Sequence, residues 1–297
     1  MKNVASSFKN RVLYIAVAYL LMGAACLGFW LSGGKYQSVA GGVLGACCML
    51  FPLLATMVAQ AVEHKPLLRD LGISWKINRW WFAGWLVVPF VVLLAALFTW
   101  VFAGSDFTLH TIAFQRLEEQ MKMGPAAIVA VTAFSGMVAG ITVNALVAFG
   151  EEVGWRGYLL RQFAGCGFLK TAVLTGIVWG LWHAPIILLG HNYPNHPVSG
   201  VFFMVVLCVL LSVIIQYFRI KSGSVLVAAV MHGTFNALAG MVLFFVENPN
   251  ELLMGMEGAA GFLSMALVAV GLFLFDRYVT LDNIFTSPVL LQAPQND

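Results

Sequence analysis

Residues Phe149-Gly150-Glu151-Glu152-Val153-Gly154-Trp155-Arg156-Gly157 decide how this chain is read. They close a run that is almost purely apolar from Ala126 onward. Two adjacent carboxylates and an arginine are costly to place at the end of a helix of membrane grade. Such groups are rare there, and they usually face a bundle interior or a watery cavity and serve chemistry or transport. On a helix, Glu152 and Arg156 stand four apart with the acid N-terminal, the favoured order for a pair. Glu151 lies roughly 100° round the helix from Glu152. This predicts a satisfied Glu152 and a Glu151 without a local partner. The competing reading leaves both carboxylates in interfacial water, where charge costs far less.

Composition carries the same message outward. The chain has 297 residues, 61% of them hydrophobic and only 10% charged, with a mean hydropathy of +0.88. Soluble domains carry about 25% charged residues, so the polar surface here is too small to cover a water-soluble globule. The reading is an all-α polytopic membrane protein whose surroundings are a lipid bilayer. The net charge of +3 gives no reason to expect a nucleic-acid partner. The five cysteines, Cys26, Cys47, Cys48, Cys166 and Cys208, sit mostly in apolar runs and fit neither a disulfide framework nor a zinc spacing. Gly23-Ala24-Ala25-Cys26 is read as helix-packing residues, with the first segment retained rather than cleaved.

A crossing needs about 20 apolar residues. Eight segments qualify: Val12–Ser32, Val39–Val62, Trp80–Ala103, Ala126–Gly150, Thr171–Gly190, Gly200–Phe218, Ser224–Val246 and Ala259–Phe275. Of the 16 lysines and arginines, thirteen lie on one side of such a bundle, and only Lys35, Arg116 and Lys122 on the other. The positive-inside rule then puts both termini in the cytoplasm. The whole of 1–297 reads as one transmembrane domain without internal repeat, and the expected location is a bacterial inner membrane.

The connections differ in character. Between Gly104 and Gly124, Leu109, Ile112, Leu117 and Met121 fit one face of a short surface helix, with use as a substrate lid an alternative. His191-Asn192-Tyr193-Pro194-Asn195-His196-Pro197 reads as an outer turn. Its histidines are read as solvated, since no acid or thiol accompanies them. Glu247 to Gly258 is acidic and outer.

Few groups inside the spans can bind or relay protons. Helix five reaches His183 about 18 Å from its start at Thr171, and helix seven reaches His232 about 12 Å from Ser224. Asn236 is one turn beyond His232, and Trp179 one turn before His183. A glutamate, two histidines and an asparagine thus come from three helices into what this count makes the cytoplasmic half of the bilayer. Each has a bland alternative: membrane histidines often only bond between helices. Pro185 frees the Leu181 carbonyl, and His183 could merely tidy that kink. Asn144 and Thr142 could be packing glue.

Taken in order, the three groups resemble the CPBP family of intramembrane proteases, the CAAX-prenyl endopeptidase and bacteriocin-processing group also called Abi. Glu151-Glu152-Val153-Gly154-Trp155-Arg156 matches its first motif, Trp179-Gly180-Leu181-Trp182-His183 its second and His232-Gly233-Thr234-Phe235-Asn236 its third. The second has tryptophan where many members have phenylalanine. The resemblance covers about Ala126 to Leu243, a catalytic core over 126–243. It implies an endopeptidase acting on membrane-associated peptides or proteins through a cytoplasm-facing site. Glu151 would be the general base, and His183 would hold the water. His232 and Asn236 would donate to the oxyanion, with Glu152, Arg156 and Trp179 in support. No cofactor is required by this reading. Glu151, His183 and His232 could still ligate zinc, and Glu152 would then have to act as base. Two other classes stay open: a non-catalytic scaffold or immunity factor that keeps the fold, and a proton-coupled transporter. Substrate identity and oligomeric state are not encoded in any recognisable feature.

Overall fold

Backbone amides in hydrocarbon have no water to bond, so apolar runs of this length satisfy themselves as helices. A computed structural model of the chain describes residues 2–287, with the side chains of residues 2–7 and Ser105 left out. Among the described residues there is no strand, only an isolated antiparallel bridge between Phe107 and Val246. The expectations for the side chain of Lys2 and for the C-terminus fall outside the described residues.

The first half of the chain forms α1 (Lys2–Leu31), α2 (Val39–Cys48), α3 (Phe51–Val62) and α4 (Arg79–Ala103). The short α5 (Ile112–Met121) leads into α6 (Pro125–Ile141), α7 (Val143–Glu152) and α8 (Leu160–Phe163). There follow α9 (Phe168–Trp182), α10 (Ala184–Leu188), α11 (Pro197–Ser222), α12 (Val225–Leu238) and α13 (Ala259–Phe275). Among the described residues, seven helical stretches are long and apolar enough to cross a membrane, with α2 joined to α3 and α9 to α10. This is the multi-pass membrane protein that the hydropathy demands.

The remaining segment, expected as one helix over Ala126–Gly150, is interrupted, and α6 is bent 89° from α5 at its start. Thr142 takes φ −116° and ψ −100° between α6 and α7, and its hydroxyl turns back to the Val138 carbonyl at 2.7 Å. Beyond Glu152 the chain does not stop either. A π-helical segment, Val153–Leu159, passes into α8 and carries the helix on to Phe163. The acid pair therefore sits within a helix rather than at its end.

Small residues bring the central helices close, as is usual where lipid supplies no hydrophobic drive between them. A Cβ on Gly176 of α9 would lie 2.5 Å from the Val209 Cα of α11, and one on Gly180 2.5 Å from the Val205 Cα. The short helix α5 forms as expected, but with another face inward. Thr111 caps it, accepting from the Phe114 amide at 3.1 Å, and Phe114 is the residue it buries, while Ile112 and Leu109 are exposed. Phe114 finds the ring of Phe245 at 5.6 Å, an aromatic partner that amphipathic counting cannot see.

Hydrogen bonds gather the connections into two sets at opposite ends of the bundle. At one end, Tyr158 donates to Glu63 at 2.7 Å, Arg161 to Gln60 at 2.8 Å, and Asn78 to the Ser222 carbonyl at 3.0 Å; Lys221 also pairs with Asp282. At the other, Tyr36 and His191 share a 2.8 Å bond, and Tyr193 donates to the Glu257 carbonyl at 2.7 Å. Thr108 also donates its amide to the Phe245 carbonyl there, at 2.8 Å. The first set carries nearly all of the lysine and arginine.

Candidate active site

The interior of the bundle holds a cavity of about 470 Å³, and the groups singled out in the sequence meet on its wall. Glu151, Trp179, His183, His232 and Asn236 all line it. Glu152 and Arg156 lie behind, fully buried. The cavity reaches Tyr36, His191, Asn192 and Glu257 at its far side.

Glu151 is held by indoles. Its Oε2 accepts from Trp155 Nε1 at 3.1 Å and from Trp179 Nε1 at 2.6 Å. Trp155 is four residues on, so Glu151 does have a local partner, contrary to expectation. The i,i+4 arithmetic that pairs Glu152 with Arg156 applies equally to an indole N–H. Trp179 comes from α9, and its ring also carries the Arg156 guanidinium 4.4 Å from its centroid, a cation–π contact. The large aromatic at this position is thus a hydrogen-bond donor as well as a wall.

Glu152 is the centre of a second set. Its Oε1 accepts from Arg156 Nη1 at 2.8 Å and meets His232 Nδ1 at 2.8 Å. Arg156 donates onward to Ser212 Oγ of α11 at 2.9 Å. The reading of both carboxylates as interfacial is overturned, since Glu151 is 1% exposed and Glu152 0%. A carboxylate oxygen only accepts, so the shared proton is on His232 Nδ1, and Nε2 is left for other partners.

His183 obeys the same logic. Its Nδ1 lies 2.9 Å from the Trp179 carbonyl, which can only accept, so Nδ1 carries the proton and Nε2 presents a lone pair. The carbonyl it satisfies is that of Trp179 rather than Leu181, because α9 ends at Trp182 and His183 occupies the turn before α10. Asn144 donates to the Gly233 carbonyl at 3.4 Å, so it does hold α7 to α12, and it lines the cavity as well.

Of the two histidines of the outer turn, His196 is exposed as expected, whereas His191 is not a solvated bystander. His191 lies on the cavity wall against Tyr36. Burial, with His183 nearby, holds its pKa down to about 3, so it stays neutral. His196 pairs with Glu251 at 2.9 Å, an acid that is distant in sequence. Glu257, from the acidic outer connection, also lines the cavity, and burial with Glu251 nearby pushes its carboxyl up to about 7.

A zinc site formed by Glu151, His183 and His232 does not fit this arrangement. Among the described residues no three His, Cys, Asp or Glu side chains are grouped as metal ligands. The Glu151 Oε2 is also occupied by two N–H donors.

Comparison with known proteins agrees with the three motifs. Residues 133–238 match the family model described as "Type II CAAX prenyl endopeptidase Rce1-like". A 49-residue stretch is 41% identical to CAAX prenyl protease 2 of Methanococcus maripaludis, covering 16% of this chain and 18% of that protein. The aligned part thus spans under a fifth of the relative's length. Residues 133–238, with the three ordered motifs within them, are thus similar to the Rce1-like CAAX prenyl endopeptidases of the CPBP family.

Proposed function

We propose that this protein is an intramembrane endopeptidase that hydrolyses peptide bonds with a water activated by Glu151. The observation that carries the reading is the convergence of Glu151, His183, His232 and Asn236 on one cavity inside the bundle.

Glu151 uses Oε2 to accept two indole N–H bonds. Its other carboxylate oxygen takes a proton from the water. The Nε2 lone pair of His183 accepts the water's second hydrogen and orients the oxygen. The resulting hydroxide attacks the carbonyl carbon. His232 and Asn236 donate to the oxyanion, a contribution commonly among the largest in such reactions. Glu152 fixes the His232 ring through Nδ1 at 2.8 Å, which leaves Nε2 to the oxyanion. The C–N bond then breaks, and the leaving amine takes the proton held by Glu151. Water is consumed, an acid and an amine are formed, and the carboxylate is regenerated. No metal enters the sequence, and turnover that survives metal removal by a chelator is expected.

The direct test is Glu151→Gln. Glutamine keeps an oxygen for both indoles, so the fold should stand, while a base worth about 10²–10⁴-fold in rate is lost. Cleavage of a membrane-associated peptide by the purified variant at the wild-type rate would remove the assignment.

A further inference from the structure

We propose that the cavity is entered from the non-cytoplasmic side, so that the peptide it takes is a segment presented at the outer face of the membrane. The proposal deepens the hydrolase reading and rests on it for the substrate, but the direction of opening stands on geometry and charge alone.

Three observations lead to it. The lining is drawn from one end of the bundle: Tyr36 after α1, His191 and Asn192 after α10, and Glu257 before α13. None comes from the connections at 63–78, 164–167 or 223–224, which lie at the other end. The helices that line it agree, since α7 contributes Val143, Asn144 and Val147 from its start, whereas α12 contributes Asn236 from near its end.

The basic charge lies at the end away from the cavity. Lys65, Arg69, Lys76, Arg79, Arg161, Lys170, Arg219, Lys221 and Arg277 all belong to it, against Lys35, Arg116 and Lys122 at the mouth end. Arg156 is set aside because it is buried and paired with Glu152. Positive charge flanking short connections marks the cytoplasmic side, so the mouth faces away from it.

The depth of Glu151 fits. Eleven further helical residues, Val153 to Phe163, separate the acid pair from the basic end, which is roughly 16 Å of helix. A peptide approaching from that side would meet packed helix, with Trp155, Tyr158 and Leu159 fully buried. The cytoplasm-facing site expected from counting along the spans is thus reversed. That count placed the end of helix four at Gly150, and the helix runs on.

The experiment is side-specific labelling of the full-length protein with a membrane-impermeant maleimide, in intact cells and in inverted vesicles, with labelled peptides read by mass spectrometry. Cys166, exposed at the basic end, serves as an internal control. Gln37→Cys, exposed beside the mouth, and Val147→Cys, on the cavity wall one turn before Glu151, are the probes. Labelling of both probes in intact cells, with Cys166 labelled only in inverted vesicles, is expected. Labelling of Val147→Cys only from inverted vesicles would overturn the proposal, as would the appearance of Cys166 in intact cells. Should Val147→Cys fail to fold, Gln37→Cys and Cys166 alone still fix the direction. No turnover is needed, so failure of Glu151→Gln to lose activity would sink the hydrolase reading and leave this result standing.

Discussion

At the scale of single residues, the site rests on two adjacent glutamates given different partners. Glu151 has neutral indole donors and faces the cavity, whereas Glu152 has a guanidinium and an imidazole and is sealed behind it. Glu152→Gln should therefore behave unlike Glu151→Gln. It leaves the Arg156 charge buried without its counter-ion, and breaking a buried pair from one side costs about 3–5 kcal/mol. A fall of that size in detergent-unfolding stability, with expression reduced, is the expected outcome; a variant as stable as wild type would show that Glu152 is not the structural anchor. The Glu152–Arg156 pair was legible because an i,i+4 interaction needs only the local helix. The Trp179 bond to Glu151 was not, because it joins α7 to α9 across 28 residues. Only the motif hinted that the position mattered.

At the scale of helices, the spans were readable because each is a long apolar run bounded by charge or by glycine and proline. The interruptions inside them were not. Gly140 stands two residues before the break at Thr142, and Gly154 and Gly157 lie in the π-helical segment, but glycine is frequent throughout these spans and singles out neither place. Helix contact is legible only in part, as a surplus of small residues with no statement of which one meets which neighbour. Gly180 is such a point, lying where α9 presses on the backbone of α11. Gly180→Val has nowhere to put its side chain except into Val205, so it should force the two helices apart. Overpacking of this kind costs about 1–3 kcal/mol. The expected result is a lower midpoint in thermal unfolding together with lost turnover, since α9 also carries Trp179 and leads into His183. An unchanged midpoint would mean that α9 and α11 are not in backbone contact there.

At the scale of the whole molecule, a multi-pass helical bundle and a two-ended charge distribution could be read from the chain, while the proposed direction of the cavity mouth could not. Direction depends on depth, and depth on where helix four ends. Glu257 shows a further cost of the cavity. Its carboxyl is held at about 7 by burial and by Glu251, well above the ordinary value of 4.5. The folded protein therefore holds a proton that the unfolded chain releases, and stability is highest below about pH 4.5 and falls until about pH 7. Glu257→Gln should flatten that part of the pH profile of thermal unfolding, and a slope that persists would assign it to another group. The pair of indoles on Glu151 has one more consequence. Tryptophan emission responds to charge placed against the ring, so the proposed base sits between two built-in fluorophores. The protonation of Glu151 is therefore open to optical observation in the native chain, with no label and no substrate.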